Sequence, residues 1–434
     1  MSANEPQPIP ASGVSPTEKL PPAAAAPQPA VDERALAAAL KEARRIKGVS
    51  LWQDAMRRLR RNWVAMLALV TLIFISLIAV LTPLLPLQSP IEQRMPTGPN
   101  NQGAILQPPN FRPVELTIKN EISFKKELAR FDERIAELRD EIASARTPGA
   151  RTAAEKKLAT EQRANPVLEV WNKPSWIDRR LIRWRIAMFG DYCIPSICGT
   201  DALARDELAR LCWGSRVSLM VGLVATLVSL VIGMTYGAVS GYLGGTTDNL
   251  MMRIVDMLYS IPFIFVVIFA ITVLSQDHWK AALESLGVNQ IVVFYLLIGA
   301  IYWLTMARVV RGQVISLKHE QFIEAARVAG ASRTRIIFRH ILPNVMSVVI
   351  VYLTLTIPAV MLFEAFLSFL GLGVSPPDVS WGVLANEGIK VITPIRIYWW
   401  LIVFPGAALA LTLMSLNFLG DGLRDALDPR LKNQ

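Results

Sequence analysis

A short run of residues between two long apolar segments combines an acidic group with a shallow surface that another protein could contact. The run is Glu324-Ala325-Ala326, followed by Gly330. Good helix formers fill 321–329, Gly330 ends that helix, and Ser332 can cap a second one. The alanines allow close approach, and Glu324 can pair with a basic group on a partner. The pattern predicts a docking loop, although a loop at the membrane interface fits it equally.

Three other side chains are candidates for function or for a covalent link. Cys193 and Cys198 flank Pro195, and in an oxidising compartment they could close a short disulfide loop. Glu364 lies at the predicted outer end of an apolar run, where a charge is costly unless it is paired or faces water. It is a candidate for the substrate path or the outer surface, and a structural hydrogen bond to the following loop is the alternative.

Little in the sequence is suited to metal or enzyme chemistry. The chain has three cysteines and three histidines, and it lacks the CxxC, HExxH and G-x-S-x-G patterns. We expect no catalytic residue, no metal site and no cofactor held by this chain. The net charge of +10 does not indicate a nucleic-acid partner, because 52% of the residues are apolar and only 18% are charged. That balance favours a membrane protein.

Six runs without acidic or basic residues are long enough to cross a bilayer core, which needs about 20 apolar residues in a helix. A large soluble core does not plausibly supply so many. The runs are Asn62–Ile91, Val217–Thr247, Met257–Gln276, Ser285–Ala307, Ile341–Phe363 and Ile397–Gly420.

The distribution of basic residues predicts the orientation. Four arginines between Arg57 and Arg61 precede the first span, and seven basic residues lie between Arg308 and Arg339, in the loop between spans four and five. Basic residues are concentrated in cytoplasmic loops, and six spans allow both segments to be cytoplasmic. Both chain termini are then also cytoplasmic.

These spans divide the chain into segments. We predict a disordered Pro/Ala-rich tail (1–30), a cytoplasmic amphipathic helix (31–62), a first transmembrane helix (63–86), an extracytoplasmic insertion (87–214), a membrane core of five further spans (215–421) with the docking loop at 309–340, and a cytoplasmic C-terminus (422–434).

Two local patterns add detail. Within the insertion, apolar residues from Phe124 to Ile142 recur at spacings of four and three, and Thr147-Pro148-Gly149 breaks the helix that they predict. A second helical stretch follows, so we expect an exposed helical hairpin, either a spacer or a contact for a neighbouring protein. In the second span, glycines at positions 233, 237 and 241 form a stripe that favours close helix packing, with lining of the substrate path as the alternative.

The predicted docking loop resembles the cytoplasmic loop of bacterial type I ABC importer permeases. The shared pattern is Glu324-Ala325-Ala326, three residues, Gly330, and later Leu342-Pro343. The chain departs from that pattern at His340, where the family has an isoleucine; Ile341 follows directly.

Three further blocks resemble the oligopeptide and dipeptide branch of that family, of the OppC/DppC type. They lie within 199–219, 368–382 and 420–430, and Ala204 replaces a glycine expected in the first. The resemblance covers about 198–432, and more weakly 51–90.

This resemblance implies a MetI-like type I ABC permease core. Together with the predicted spans and insertion, it gives an all-α integral membrane protein with six transmembrane helices and an extracytoplasmic helical insertion after the first span. It implies that Glu324, Ala325, Ala326 and Gly330 contact an ATPase subunit, and that Pro343 starts the fifth span. The implied partners are a homologous second permease subunit, two ABC ATPase subunits, an extracytoplasmic substrate-binding protein and the lipid of a bacterial inner membrane.

The function that the resemblance implies is ATP-driven peptide import by alternating access. The sequence has no G-x-x-x-x-G-K-[ST] loop, so ATP and Mg must bind to separate ATPase chains. Nickel is an alternative cargo for the same architecture. An ion-coupled secondary transporter acting alone is a different class, and the near absence of charge from the spans counts against it.

Overall fold

The computed structural model describes residues 51–427 apart from 94–104, 113, 116, 119–121, 146, 172–173, 275, 277, 280–282, 284–289 and 375. The predicted tail at 1–30, residues 31–50 of the predicted amphipathic helix and 428–434 of the predicted C-terminus lie outside the described residues.

The described chain is mainly helical. Before the second span, the helices are α1 (Leu51–Arg61), α2 (Trp63–Leu81), α3 (Phe124–Ser144), α4 (Pro148–Arg163), α5 (Pro166–Trp171) and α6 (Trp176–Phe189). From the second span onward, they are α7 (Glu207–Leu243), α8 (Gly245–Ser260), α9 (Phe263–Leu274), α10 (Gln290–Leu317), α11 (Gln321–Val328), α12 (Arg333–Arg335), a π-helix (Ile336–Ile341), α13 (Leu342–Phe369), α14 (Trp381–Lys390) and α15 (Trp400–Leu427). Four two-residue strands, β1 (Val114–Glu115), β2 (Thr117–Ile118), β3 (Ile122–Ser123) and β4 (Tyr192–Cys193), pair antiparallel as β1 with β4 and β2 with β3.

Five helical runs among the described residues are long and apolar enough to cross a membrane, namely α2, α7, α10, Arg333–Phe369 and α15. The third predicted span, Met257–Gln276, is not formed by a single straight helix. There, α8 and α9 form a pair bent by 77°. The bend follows from Pro262, which lacks an N–H and holds Ile261 in an extended conformation (φ −79°, ψ 124°).

The glycine stripe of the second span packs against the fourth span, which confirms the packing interpretation. A Cβ atom on Gly233 would lie 2.6 Å from Met306 Cβ, and one on Gly241 would lie 2.9 Å from the Arg311 carbonyl oxygen. No side chain larger than hydrogen fits between the two backbones. The absence of side chains therefore allows α7 and α10 to lie in direct backbone contact.

The insertion after the first span contains the predicted helical hairpin. Thr147 caps α4 by accepting a hydrogen bond from the Ala150 amide at 3.3 Å. The hairpin is less exposed than predicted, because Phe124 and Leu128 of α3 are buried against Trp171 and Ile182. The insertion thus has a small hydrophobic core of its own beside the membrane bundle.

The N-terminal helix packs against the end of the last span. Ala55 and Leu59 of α1 share a small buried cluster with Ala65 and Ala426. Asn62 caps α2 by accepting a hydrogen bond from the Ala65 amide at 3.2 Å. α1 is therefore fixed to both the first and the last spans.

Candidate functional site: the loop between the fourth and fifth spans

The Glu-Ala-Ala loop, residues 309–340, has the predicted helix–turn–helix form. α10 continues to Leu317, and the short helix α11 follows after a three-residue turn. Gly330 has φ +78°, a left-handed conformation that glycine adopts without strain, and it lies just beyond the end of α11. Ser332 then accepts a hydrogen bond from the Arg335 amide at 3.3 Å, which confirms it as the cap of the returning helix.

A single side chain of α11 fixes the loop to the membrane bundle. Ile323 is fully buried, and it packs in one cluster with Val310 and Val314 of α10 and with Ile336 and Ile341 of the returning helix. The loop is therefore joined to the ends of two spans. A force on α11 would be transmitted to both spans through this cluster.

The opposite face of α11 is exposed. Glu324 and Ala325 are exposed, Ala326 is half-buried, and no ion pair involves Glu324 within the described residues. Val328 is 90% exposed, and Phe338 on the returning helix is 51% exposed. Four exposed arginines lie on the same loop, namely Arg327, Arg333, Arg335 and Arg339. Large apolar side chains beside unpaired charges are typical of a surface that another protein covers.

An ion pair that sequence reasoning missed connects the bent helix pair to this loop. Arg311 Nε and Nη2 donate to the two carboxylate oxygens of Asp248 at 2.6 Å each. Ser240 donates a further hydrogen bond to Asp248 at 2.5 Å. Charges just outside two apolar runs are the only sequence signal for this pairing. The pair attaches the start of α8 to α10 where α10 leaves its span.

A second ion pair, between Arg308 and Asp256, also lies near the ends of the spans. Arg308 Nη2 lies 2.7 Å from Asp256 Oδ1, and the Arg308 guanidinium lies 4.5 Å from the centroid of the Tyr259 ring. The Asp256 side chain is 65% exposed, so this contact is weaker than the Asp248–Arg311 pair.

Pro343 lies in the first turn of α13, the helix of the fifth span, in agreement with the predicted start of that span, and a π-helix joins this start to the loop. The helical run extends continuously from Arg333 to Phe369. A proline inside a helix cannot donate a hydrogen bond, and its ring clashes with the carbonyl of the preceding turn. The wider turn of the π-helix accommodates it: the Leu342 amide donates to the Ile337 carbonyl five residues back, and the Asn344 side-chain amide donates to the His340 carbonyl at 2.6 Å.

The structure also places His340, the position at which the chain departs from the family pattern. Its side chain is half-buried, whereas Ile341 is fully buried in the cluster that holds Ile323. In this chain the buried apolar position therefore falls on Ile341.

Glu364 is buried inside this chain and is not exposed at its outer surface. It is only 1% exposed, and its carboxylate accepts a hydrogen bond from Ser368 Oγ at 2.6 Å. Ser368 Oγ lies 3.4 Å from Ser380 Oγ, in the loop before α14. The alternative that we stated, a structural hydrogen bond toward the following loop, describes its position.

Cys193 and Cys198 do not form the disulfide that we expected to be feasible. Both are thiols, and they lie in separate surroundings. Cys193 is buried against Arg185, with Sγ 3.1 Å from Nη2. Burial and the nearby carboxylates of Asp206 and Glu207 raise the pKa of the Cys198 thiol to about 12.

A second group of charged residues lies at the N-terminal end of α7. Part of it falls in the block within 199–219 that resembles the OppC/DppC branch. Asp201 Oδ2 accepts from Arg205 Nε and from Arg210 Nη1, each at 2.7 Å. Glu387 of α14 accepts from the same arginines at 3.0 and 2.5 Å. Asp201, Arg205 and Glu387 also line a cavity of about 250 Å³, together with Glu207. No local pattern in the sequence indicates that Glu387 completes the group.

Comparison with known proteins identifies the family. Residues 220–433 match the family model described as the inner membrane component of binding-protein-dependent transport systems. Residues 50–109 match the N-terminal TM domain of oligopeptide transport permease C. The chain is 48% identical over 232 residues to an oligopeptide transport system permease protein OppC of Haemophilus influenzae, covering 54% of this chain and 70% of that protein. The chain belongs to the inner-membrane permease components of binding-protein-dependent transport systems.

Other permeases of this family are similarly related. A dipeptide transport system permease protein DppC of Bacillus subtilis is 44% identical over 234 residues, covering 54% of this chain and 68% of that protein. An OppC of Escherichia coli K12 is 48% identical over 232 residues, covering 54% and 72%. A solved MetNI methionine ABC transporter chain covers 50% of this chain at 19% identity with a TM-score of 0.36, and the assignment does not depend on it.

Proposed function

We propose that this chain is a permease subunit of an ATP-driven importer of dipeptides or oligopeptides. It would form half of a translocation pathway with a homologous permease, dock two ABC ATPases, and receive cargo from an extracytoplasmic binding protein. The peptide cargo is proposed from the names of the relatives. ATP and Mg would bind to the ATPase chains.

The observation that carries the proposal is the exposed face of α11. It presents an unpaired Glu324, a shallow surface at Ala325, and Val328, which is almost fully exposed. The other face holds Ile323 in the bundle. One helix thus has one side suited to a partner and one side fixed to two spans, as a mechanical connection requires.

The mechanism follows from how the loop is attached. When the ATPases close on ATP, they would move α11. Because Ile323 packs in one cluster with Val314 and Ile341, the ends of the fourth and fifth spans would move with it. The Asp248–Arg311 pair would extend that movement to the start of α8. Such a displacement of several spans together could alternate access to the pathway.

The proposed topology places this loop in the cytoplasm of a bacterial cell, with both chain termini on the same side. The support is the concentration of basic residues before the first span and in the Glu-Ala-Ala loop. The insertion between α2 and α7 would then face the extracytoplasmic side, where a binding protein delivers cargo.

The test of docking is Glu324→Arg in the chain co-expressed with its partner subunits. We expect loss of ATPase co-purification and of ATP-driven uptake of a labelled tripeptide, while the amount of chain in the membrane stays unchanged. Glu133→Arg is the matched control, because Glu133 is also exposed and lies on α3 of the hairpin. If Glu324→Arg retains both the ATPases and uptake, the docking role is wrong.

Cargo is tested separately on the wild-type transporter in proteoliposomes with its binding protein. ATP-dependent accumulation of labelled di- or oligopeptides is expected, with no accumulation of ⁶³Ni²⁺. The reverse result would leave the permease assignment in place and refute the peptide cargo. Uptake by this chain alone, without ATPases, would refute the whole proposal.

A further inference from the structure

The helix α6, in the insertion, has an outward face of unusual composition. It lies between the parts of the chain that the two family models match. Trp176 is 71% exposed, Trp184 57% and Met188 60%. Large apolar side chains at this exposure need a covering surface, and nothing within the described residues of this chain provides one.

The exposed residues of α6 are sorted around the helix. Since successive residues advance by roughly 100°, Ile177, Trp184 and Met188 share one edge, called here the apolar stripe. Arg179 and Arg183 share the opposite edge of the outward face, called here the basic edge. Tryptophans, an apolar stripe and flanking arginines on one short helix are typical of helices that lie in a membrane–water interface.

The inward face of α6 fixes its depth relative to the spans. Asp178 forms an ion pair with Arg216 at 2.8 Å, and Arg216 is the last charged residue before the uncharged run of the second span. α7 has 37 residues, so it is about 55 Å long and must project beyond a hydrocarbon core of about 30 Å. Arg216 therefore marks the membrane boundary, and α6 is attached at that level.

A second contact fixes the other end of α6 at the same level. Buried Arg185 donates to the carbonyl oxygens of Leu85 and Leu87 at 3.3 and 3.2 Å, just beyond the end of the first span at Leu81. Thr82 donates to the carbonyl of Cys212 at 3.3 Å, which joins the ends of the first two spans. α6 is thus held beside the ends of two spans.

We propose that α6 is an interfacial membrane anchor that binds phospholipid. The apolar stripe enters the boundary of the acyl chains, and Trp176, with Arg180 6.0 Å above its ring, lies among the headgroups. The basic edge faces lipid phosphates, with Arg183 also paired to Asp132 of α3 at 2.9 Å. Anchored in this way, α6 would hold the insertion and its hairpin at a fixed height above the bilayer.

The test measures the depth of the apolar stripe in the full chain. A nitroxide on Met188→Cys in nanodiscs of phosphatidylethanolamine and phosphatidylglycerol should show a severalfold higher ratio of oxygen to nickel-chelate accessibility than one on Glu137→Cys. Glu137 is the control because it is exposed on the hairpin, away from α6. Labelled wild-type protein gives the background from the native cysteines.

A second measurement identifies what covers the face in cells. A photoreactive benzoylphenylalanine in place of Trp184, in the assembled transporter, should crosslink to phospholipid. A water-like accessibility ratio at Met188→Cys would overturn the proposal. So would crosslinking at position 184 to a partner subunit or the binding protein, because the face would then be a protein contact. Neither result depends on the cargo or on ATPase docking.

Discussion

The close contact between α7 and α10 gives a prediction in which the structure determines both the variant and its control. A Cβ atom on Gly237 would lie 3.0 Å from the Arg311 amide nitrogen, and closer still to the Ala307 carbonyl oxygen. Both neighbours are backbone atoms of a helix, so neither can rotate away. Gly237→Ala must therefore push the two helices apart.

The expected magnitude follows from two opposing effects. Overpacking a tight contact costs about 1–3 kcal/mol, and a rigid backbone neighbour favours the upper part of that range. Replacing glycine by alanine inside a helix gains about 1 kcal/mol. The net loss for Gly237→Ala is therefore about 1–2 kcal/mol, which for a chain of this length corresponds to a fall of about 1–2 °C in the unfolding temperature.

Gly312→Ala is the matched control for this measurement. Gly312 lies in α10, and a Cβ atom there would meet nothing within 4 Å. The control should keep or raise the unfolding temperature, since only the helix-propensity gain applies. Both variants are compared with wild type by thermal unfolding of the purified chain in the same detergent. If Gly237→Ala unfolds at or above the wild-type temperature, the backbone contact is not as close as the structure has it.

Three further predictions follow from named contacts. Asp248→Asn should lower the unfolding free energy by about 1.5–3 kcal/mol, because it weakens two hydrogen bonds with the charged Arg311 side chain. Asp256→Asn should lower it by less than about 1 kcal/mol. Equal losses for the two variants in chemical denaturation would contradict this prediction. Glu387→Gln should weaken three charge-assisted hydrogen bonds from Arg205 and Arg210 and increase hydrogen exchange at the start of α7 and in α14. Unchanged exchange in both helices would show that these bonds do not hold α7 and α14 together. Because burial raises the pKa of Cys198 to about 12, its thiol should resist modification by maleimide at pH 7.5 in the native chain. All three cysteines should react with maleimide in SDS without reductant. Fewer than three adducts in SDS would reveal a disulfide.

Much of the membrane architecture can be predicted from the sequence because lipid imposes simple rules. Uncharged runs identify the spans, since a charge in the bilayer core is costly. The glycine stripe predicted a close helix contact for a similar reason, because backbones approach closely only where side chains are absent, and the structure identifies α10 as the partner helix. The break at Gly330 and the cap at Ser332 are local effects of backbone conformation, so they too could be predicted from neighbouring residues.

The rest depends on residues that are distant in sequence. Asp248 with Arg311, and Glu387 with Arg210, come together only after several spans have packed, and no local pattern indicates the pairing. The burial of Glu364 and the separate surroundings of Cys193 likewise depend on which neighbours the fold places around them. The π-helix before Pro343 shows the same limit, because no local pattern indicates that the returning helix continues into the fifth span without a break.

The Glu-Ala-Ala loop combines both kinds of information. The sequence by itself determined its helix, its turn and the acidic residue at its centre, because those features depend on intrinsic conformational preferences. Only the tertiary structure decided that Ile323 is buried beside two spans while Val328 is left exposed, because burial depends on the packing of helices that are separate in the chain.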